Sequence, residues 1–128
     1  MLKEWIAVVL GGVLGVSLRH LLASLFALIG SAWLPFATLA ANVIGCFAIG
    51  ILAQWSLQQE TSKEWWVIGA RVGLLGGLTT FSSFALDVAK LWNQDQRGFS
   101  VGLATGHVIL GLIAVFAGLA WMRATNSQ

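Results

Sequence analysis

Six residues, Thr79 to Phe84, carry four hydroxyls and two phenyl rings in the run "TTFSSF". They follow "GLLGG", which places three glycines in five residues just upstream. Glycine weakens a helix, and the hydroxyls of Thr79, Thr80, Ser82 and Ser83 both donate and accept, so they can satisfy backbone groups that a break would free. Phe81 and Phe84 stand three apart and share one helix face. A phenyl ring is negative on its face and positive at its edge. Together these groups offer a small desolvated anion neutral donors and ring edges, with no full charge to hold it. The plainer alternative is a continuous helix with back-bonded hydroxyls and two core phenylalanines.

Other polar residues stand inside apolar sequence. Arg19, in "GGVLGVSLRH", is a cation lining an anion entrance, a tie between helices, or an anchor whose stem reaches an interface. Asn42, in "TLAANVIGCFAIG", shares a helix face with Thr38 and Gly45 at i−4 and i+3. Its carboxamide suits an anion that must be bound and released, and equally an interhelical hydrogen bond. His107, in "ATGHVILG", is expected to be neutral and to donate to a backbone or hydroxyl oxygen rather than to relay protons. Asp87 is within reach of Lys90 at i+3, so a surface ion pair is expected. Cys46 is the only cysteine, so no internal disulfide forms, and a small buried hydrophobe is its expected role.

The elements that position these residues follow from composition. The chain of 128 residues is 58% hydrophobic and 9% charged, against about 25% charged in soluble domains. Four apolar stretches are long enough to span a bilayer: Trp5–Ile29, Trp33–Leu57, Trp65–Trp92 and Phe99–Met122. Short connections, "GSA", "QQETSK" and "NQDQRG", join them. Residues 1–128 therefore read as one all-α membrane domain. The first stretch is too long for the core of a cleaved signal. The seven tryptophans lie near span ends, as an aromatic belt requires. Pro35 is expected in the first turn of span two. Small-residue pairs Gly11/Gly15, Ala41/Gly45 and Gly102/Gly106 are expected to bring helices close. In span three, Gly73, Gly76 and Gly77 are expected to supply flexibility, so that two half-helices meet at a break near the midplane.

Charge says little about orientation. One side carries Lys3, Lys63, Arg123 and, by snorkelling, Arg71; the other carries Lys90, Arg97 and, by snorkelling, Arg19. Such balance permits insertion both ways and antiparallel pairing. A net charge of +2, scattered along the chain, gives nucleic-acid binding no support. No Asp or Glu lies in the middle of spans one, two or four, which disfavours a small dual-topology multidrug exporter that exchanges protons for cations.

"GGVLGVSLRH", "TLAANVIGCFAIG" and above all "GLLGGLTTFSSF" resemble the Fluc/CrcB family of fluoride channels, over nearly the whole chain. The resemblance implies a fluoride-selective exporting channel and not an enzyme: an antiparallel, dual-topology homodimer with two pores in the cell inner (plasma) membrane. It implies a structural Na+ at the dimer interface, held by the backbone carbonyls of Gly76 and Thr79 from both subunits. Phe81 and Phe84 match the pore phenylalanines, Asn42 the pore asparagine, Arg19 the span-one arginine, and Thr80 and Ser83 the hydroxyl track. In span four, His107 stands where many members carry serine and Gly111 at a further small-polar position. His107 is accordingly placed outside the expected lining. His20 replaces the usual aromatic after the arginine.

Overall fold

The computed structural model describes residues 1–125; the last three residues of the expected 1–128 domain lie outside the described residues. All regular structure among the described residues is helical. Three of the apolar stretches form single helices: α1 (Leu2–Ile29), α2 (Leu34–Gln58) and α6 (Arg97–Thr125). The third is composite. It runs through α3 (Trp65–Ile68), a π-helical segment (Gly69–Leu75), α4 (Gly76–Leu78) and α5 (Phe81–Asn93). Thr79 and Thr80, at the middle of this stretch, are extended, with φ/ψ of −84°/152° and −153°/121°.

Four segments are long and apolar enough to cross a membrane: Leu2–Ile29, Ser31–Gln58, Trp65–Asn93 and Arg97–Thr125. Each extends the expected stretch by a few residues, because polar ends such as Lys3 and Arg123 continue the helical turn. Gly30, at φ 144°, closes α1 in a conformation that L side chains rarely adopt, and a 3-10 turn over Ser31–Trp33 leads directly into α2. Pro35 falls in the first turn of α2, where its missing N–H is no loss.

Burial is achieved by small residues. Ala37, Ala41, Val67 and Ala114 are buried, whereas Leu10, Val13, Ile113 and Phe116 are exposed. That inversion is ordinary in lipid, where association rests on close packing and exposing an apolar side chain costs nothing. α2 packs chiefly on α6, and α1 chiefly on the π-helical segment and α4. Aromatic contacts close both ends: Phe36 stands 5.4 Å from Trp33 and 5.7 Å from Phe99, and Trp55 stands 5.3 Å from Trp66, centroid to centroid.

The glycines serve approach more than flexibility. A Cβ on Gly73 would lie 3.0 Å from the Gly12 nitrogen and closer still to the Val8 carbonyl oxygen, so α1 and the third stretch meet backbone on backbone. Gly11 and Gly15 meet the same segment from the α1 side. Gly76 alone of the three expected hinge glycines is uncrowded, and its φ of −65° is ordinary helix. Gly73 and Gly77 therefore serve close packing beside the π-helical segment and the extended threonines. Within this chain nothing among the described residues lies within 4 Å of a Cβ at Gly102 or Gly106, and α6 meets α2 through Gly118 and Gly50.

Substitution should separate the two classes of glycine. Gly73→Ala is expected to destabilise by about 1–3 kcal/mol through overpacking, and Gly102→Ala by less than about 0.5 kcal/mol. Unfolding in detergent with increasing denaturing surfactant, on identical preparations, checks the difference.

Candidate functional site

The site is built around the two extended threonines. An extended residue inside a membrane segment exposes an N–H and a C=O that lipid cannot satisfy. Asn42 meets both at Thr80: its Oδ1 accepts from the Thr80 N–H at 2.7 Å, and its Nδ2 donates to the Thr80 carbonyl at 3.0 Å. The carboxamide thus acts as a single rung of β-sheet laid against the third stretch. One N–H of Nδ2 remains beyond that clamp.

The neighbouring groups are satisfied in turn. The Thr79 N–H and Oγ1 both donate to the Leu75 carbonyl at 3.0 Å. Arg19 Nη1 donates to the Thr79 carbonyl at 3.3 Å, so the half-buried guanidinium reaches sideways across the bundle. Thr80 caps α5, its Oγ1 accepting from the Ser83 N–H at 3.2 Å. The same hydroxyl donates to Ser83 Oγ at 3.3 Å and lies 3.1 Å from Ser82 Oγ. Thr38, one turn before Asn42, donates to Asp87 Oδ2 at 2.9 Å. The expected Asp87–Lys90 ion pair is corrected accordingly; the ion pair formed among the described residues is Arg97–Asp95, at 3.7 Å on the surface.

Aromatic rings continue from the cap. Phe81 and Phe84 touch edge to face, centroids 5.3 Å apart at 66°. Phe84 is buried, while Phe81 is 78% exposed on the open side of the chain. Beyond Phe84 lies His107, with centroids only 4.3 Å apart. A cavity of about 360 Å³ runs beside these rings, lined among others by Asn42, Arg71, Thr80, Phe84 and His107. A second cavity of about 230 Å³ is lined by Arg19, His20, Thr38, Thr80 and Ser83 among others.

Thr80 lines both cavities, and neither lining contains a carboxylate. Each has one arginine, Arg71 in the first and Arg19 in the second. Low-dielectric walls focus such a field, so each arginine favours an anion in the cavity it lines. Between them stand neutral donors: the Thr80 and Ser83 hydroxyls and the remaining Asn42 N–H. The arrangement can strip water from a small anion and replace it with hydroxyl contacts, without binding the anion by full charge.

Two carbonyls stand out as oxygen donors for a cation. Because the Thr80 N–H turns to Asn42, the Gly76 carbonyl loses its ordinary i+4 donor, and Gly76 lies on the exposed side. The Thr79 carbonyl is extended and keeps a lone pair beside its contact with Arg19. No group of three or more His, Cys, Asp or Glu residues able to hold a metal occurs among the described residues. A neutral all-oxygen pair fits half the shell of a hard monovalent cation.

All the expected site residues meet at the interruption except Gly76, which lies one turn before it. Arg71 and His107 are also in the linings. Arg71 faces the first cavity, although snorkelling was the expected behaviour. His107, expected to lie outside the lining, is 9% exposed and stacked on Phe84. The spacing within α6 could not reveal this, because the stacking partner lies on another helix.

Residues 6–119 match the family model described as "CrcB-like protein, Camphor Resistance (CrcB)". A protein of Nitrobacter hamburgensis named "Fluoride-specific ion channel FluC 2" is 34% identical over 120 residues, covering 94% of this chain and 97% of the relative. One of Stutzerimonas stutzeri, named "Fluoride-specific ion channel FluC", is 39% identical over 125 residues, covering 96% and 99%. Its namesake in Helicobacter pylori is 39% identical over 121 residues, covering 91% and 89%.

The clamp on Thr80 has a direct consequence. Asn42→Ala leaves a buried N–H and C=O without partners and is expected to cost about 1–3 kcal/mol for each group. Hydrogen exchange on the protein in lipid nanodiscs checks it: the Thr80 amide should exchange at least about tenfold faster, the equivalent of about 1.4 kcal/mol, with distant α6 amides unchanged.

Proposed function

The chain belongs to the CrcB-like family, and from that premise we propose that it is a fluoride-selective ion channel, passing fluoride passively down its electrochemical gradient. One observation carries the reading: two cavities, each with one arginine and no carboxylate in its lining among the described residues, share Thr80. Relatives named as fluoride-specific ion channels agree with it along almost their whole length.

Fluoride is small and strongly hydrated, so a pore must supply close donors as water leaves. Arg19 and Arg71 raise the local anion concentration at the cavities. Thr80 and Ser83 hydroxyls rotate to donate to the passing ion. Phe81 and Phe84 present ring edges, whose partial positive charge favours an anion without holding it. Asn42 keeps Thr80 extended, which places its hydroxyl at the start of α5, and the remaining Asn42 N–H adds a donor. No step is chemical, so no residue serves as nucleophile or general base. An inside-negative potential drives the anion outward at roughly 2.3 kcal/mol per charge per 100 mV. Fluoride entering a cell as neutral acid and ionising there is thereby expelled, which gives fluoride resistance.

The working unit in this reading is an antiparallel homodimer of dual topology in the cell inner membrane, with the third stretch of each copy functionally broken at mid-depth. Support comes from the exposed Phe81 and Gly76 beside a half-buried polar site, which a second copy would cover. Balanced Lys and Arg residues on the two sides agree. Gly76 and Thr79 carbonyls from two copies would complete an oxygen cage for Na+. When bound, sodium supplies a fixed positive charge near the path. A proton-coupled multidrug exporter lacks support, since neither cavity offers a carboxylate to exchange.

Fluoride efflux from liposomes containing the purified protein tests the function. Efflux is expected with symmetric sodium, driven by the fluoride gradient or membrane potential alone. A sodium gradient that drives fluoride uphill overturns the channel reading in favour of a coupled transporter. Phe84→Ile is expected to lower flux by at least about tenfold, or about 1.4 kcal/mol in the barrier, with the dimer still assembled by size-exclusion chromatography.

A further inference from the structure

His107 has one ring nitrogen committed and one left over. Its Nδ1 lies 3.1 Å from the Leu103 carbonyl one turn back on α6. A carbonyl only accepts, so Nδ1 carries the proton of that bond. In the neutral ring Nε2 is then a bare acceptor. It is buried and has no hydrogen-bond partner among the described residues, in a side chain only 9% exposed that lines the first cavity. A buried polar atom without a partner is costly, and the cavity beside it is the one proposed above to carry an anion.

A bare lone pair beside that cavity repels an anion. A proton on Nε2 reverses this, turning the atom into a charged donor. We propose that His107 is a fluoride-coordinating residue, whose Nε2 takes up a proton as the anion arrives and donates it to fluoride as a hydrogen bond. This deepens the channel reading and rests on it. The proton comes from solvent water and stays on the imidazole while anions pass. No bond to fluorine forms, and flux stays uncoupled from a proton gradient.

The surroundings make the charge conditional on the anion. Arg71 from the third stretch lines the same cavity and opposes a second cation. Cys46 from α2 lines it as a neutral thiol, and α6 itself adds only Val108 and Gly111. The Phe84 ring lies against the imidazole, centroids 4.3 Å apart and tilted by 34°. Asp87 and Lys90 line a different cavity nearer the end of α5, and Arg19 and His20 the one beyond Thr80. Fluoride therefore supplies the only anionic charge in this cavity. By linkage, whatever factor fluoride contributes to protonation, protonation returns to fluoride affinity.

Two measurements on the full-length protein test this. In liposomes at symmetric pH, wild-type fluoride flux, corrected for protein-free vesicles, should rise about threefold or more from about pH 7.5 to 5.5, where imidazoles titrate. His107→Gln should remain folded and conduct with no such rise; His20, still present in that variant, serves as the internal control. In nitrogen-15 spectra of histidine-labelled protein at about pH 6.5, sodium fluoride should create an Nε2–H signal that sodium chloride does not. The signal should vanish in His107→Gln. If wild type conducts fluoride equally at both pH values and fluoride leaves Nε2 unchanged, the role of His107 is overturned while the channel stands. If wild type passes no fluoride at all, the channel reading falls and this inference with it.

Discussion

Two extended peptide units in the middle of an apolar segment set the terms for the rest of this structure. Water cannot reach them at membrane depth, so each N–H and C=O must find a partner within protein. Asn42 supplies two for Thr80, Arg19 one for the Thr79 carbonyl, and Thr80 Oγ1 caps the helix that resumes. α1, α2 and the third stretch are thereby fixed around one point. The polar residues that looked like separate candidates in sequence are members of a single network, and removing one exposes the others.

That network needs the helices to stand close, and large side chains would keep them apart. Backbone contact between α1 and the π-helical segment through Gly73, and between α2 and α6 through Gly50 and Gly118, brings the carboxamide and guanidinium within hydrogen-bond range. A π-helical turn adds a residue per turn to the ladder and shifts the register of the helix beyond it. Here it directly precedes the short α4 and the extended threonines. Packing and polar satisfaction are one constraint at this site.

The four helices were legible from hydrophobic length, and their ends fall within a few residues of the expected boundaries, because apolar span and polar connection are one-dimensional properties of the chain. The site was legible as a set of residue types at Arg19, Asn42 and Thr79 to Phe84. Its wiring was not. Thr38 takes Asp87 from Lys90, since a hydroxyl on a facing helix is nearer than a lysine on the same one. Gly102 and Gly106 have small-xxx-small spacing but face away from every neighbour in the chain, while Gly118 does the packing. Periodicity identifies which residues share a face and is silent on which face meets which helix. His107 was misplaced for the same reason: only the α5–α6 contact puts its ring on Phe84.

Selectivity for a small, strongly hydrated anion requires donors that appear only where water is lost, and charge held back from the tightest point. The two arginines lie on separate cavities that share Thr80, so positive charge stands to either side of a neutral residue. A full charge fixed at Thr80 would bind more tightly and release more slowly, because conduction needs entry and exit to be comparable in free energy. Imidazole offers a way around that conflict. Unlike arginine, it can stand neutral until a partner makes charge favourable. Buried against Phe84 and tied by Nδ1 to its own helix, His107 is positioned to lend such conditional charge without becoming a trap.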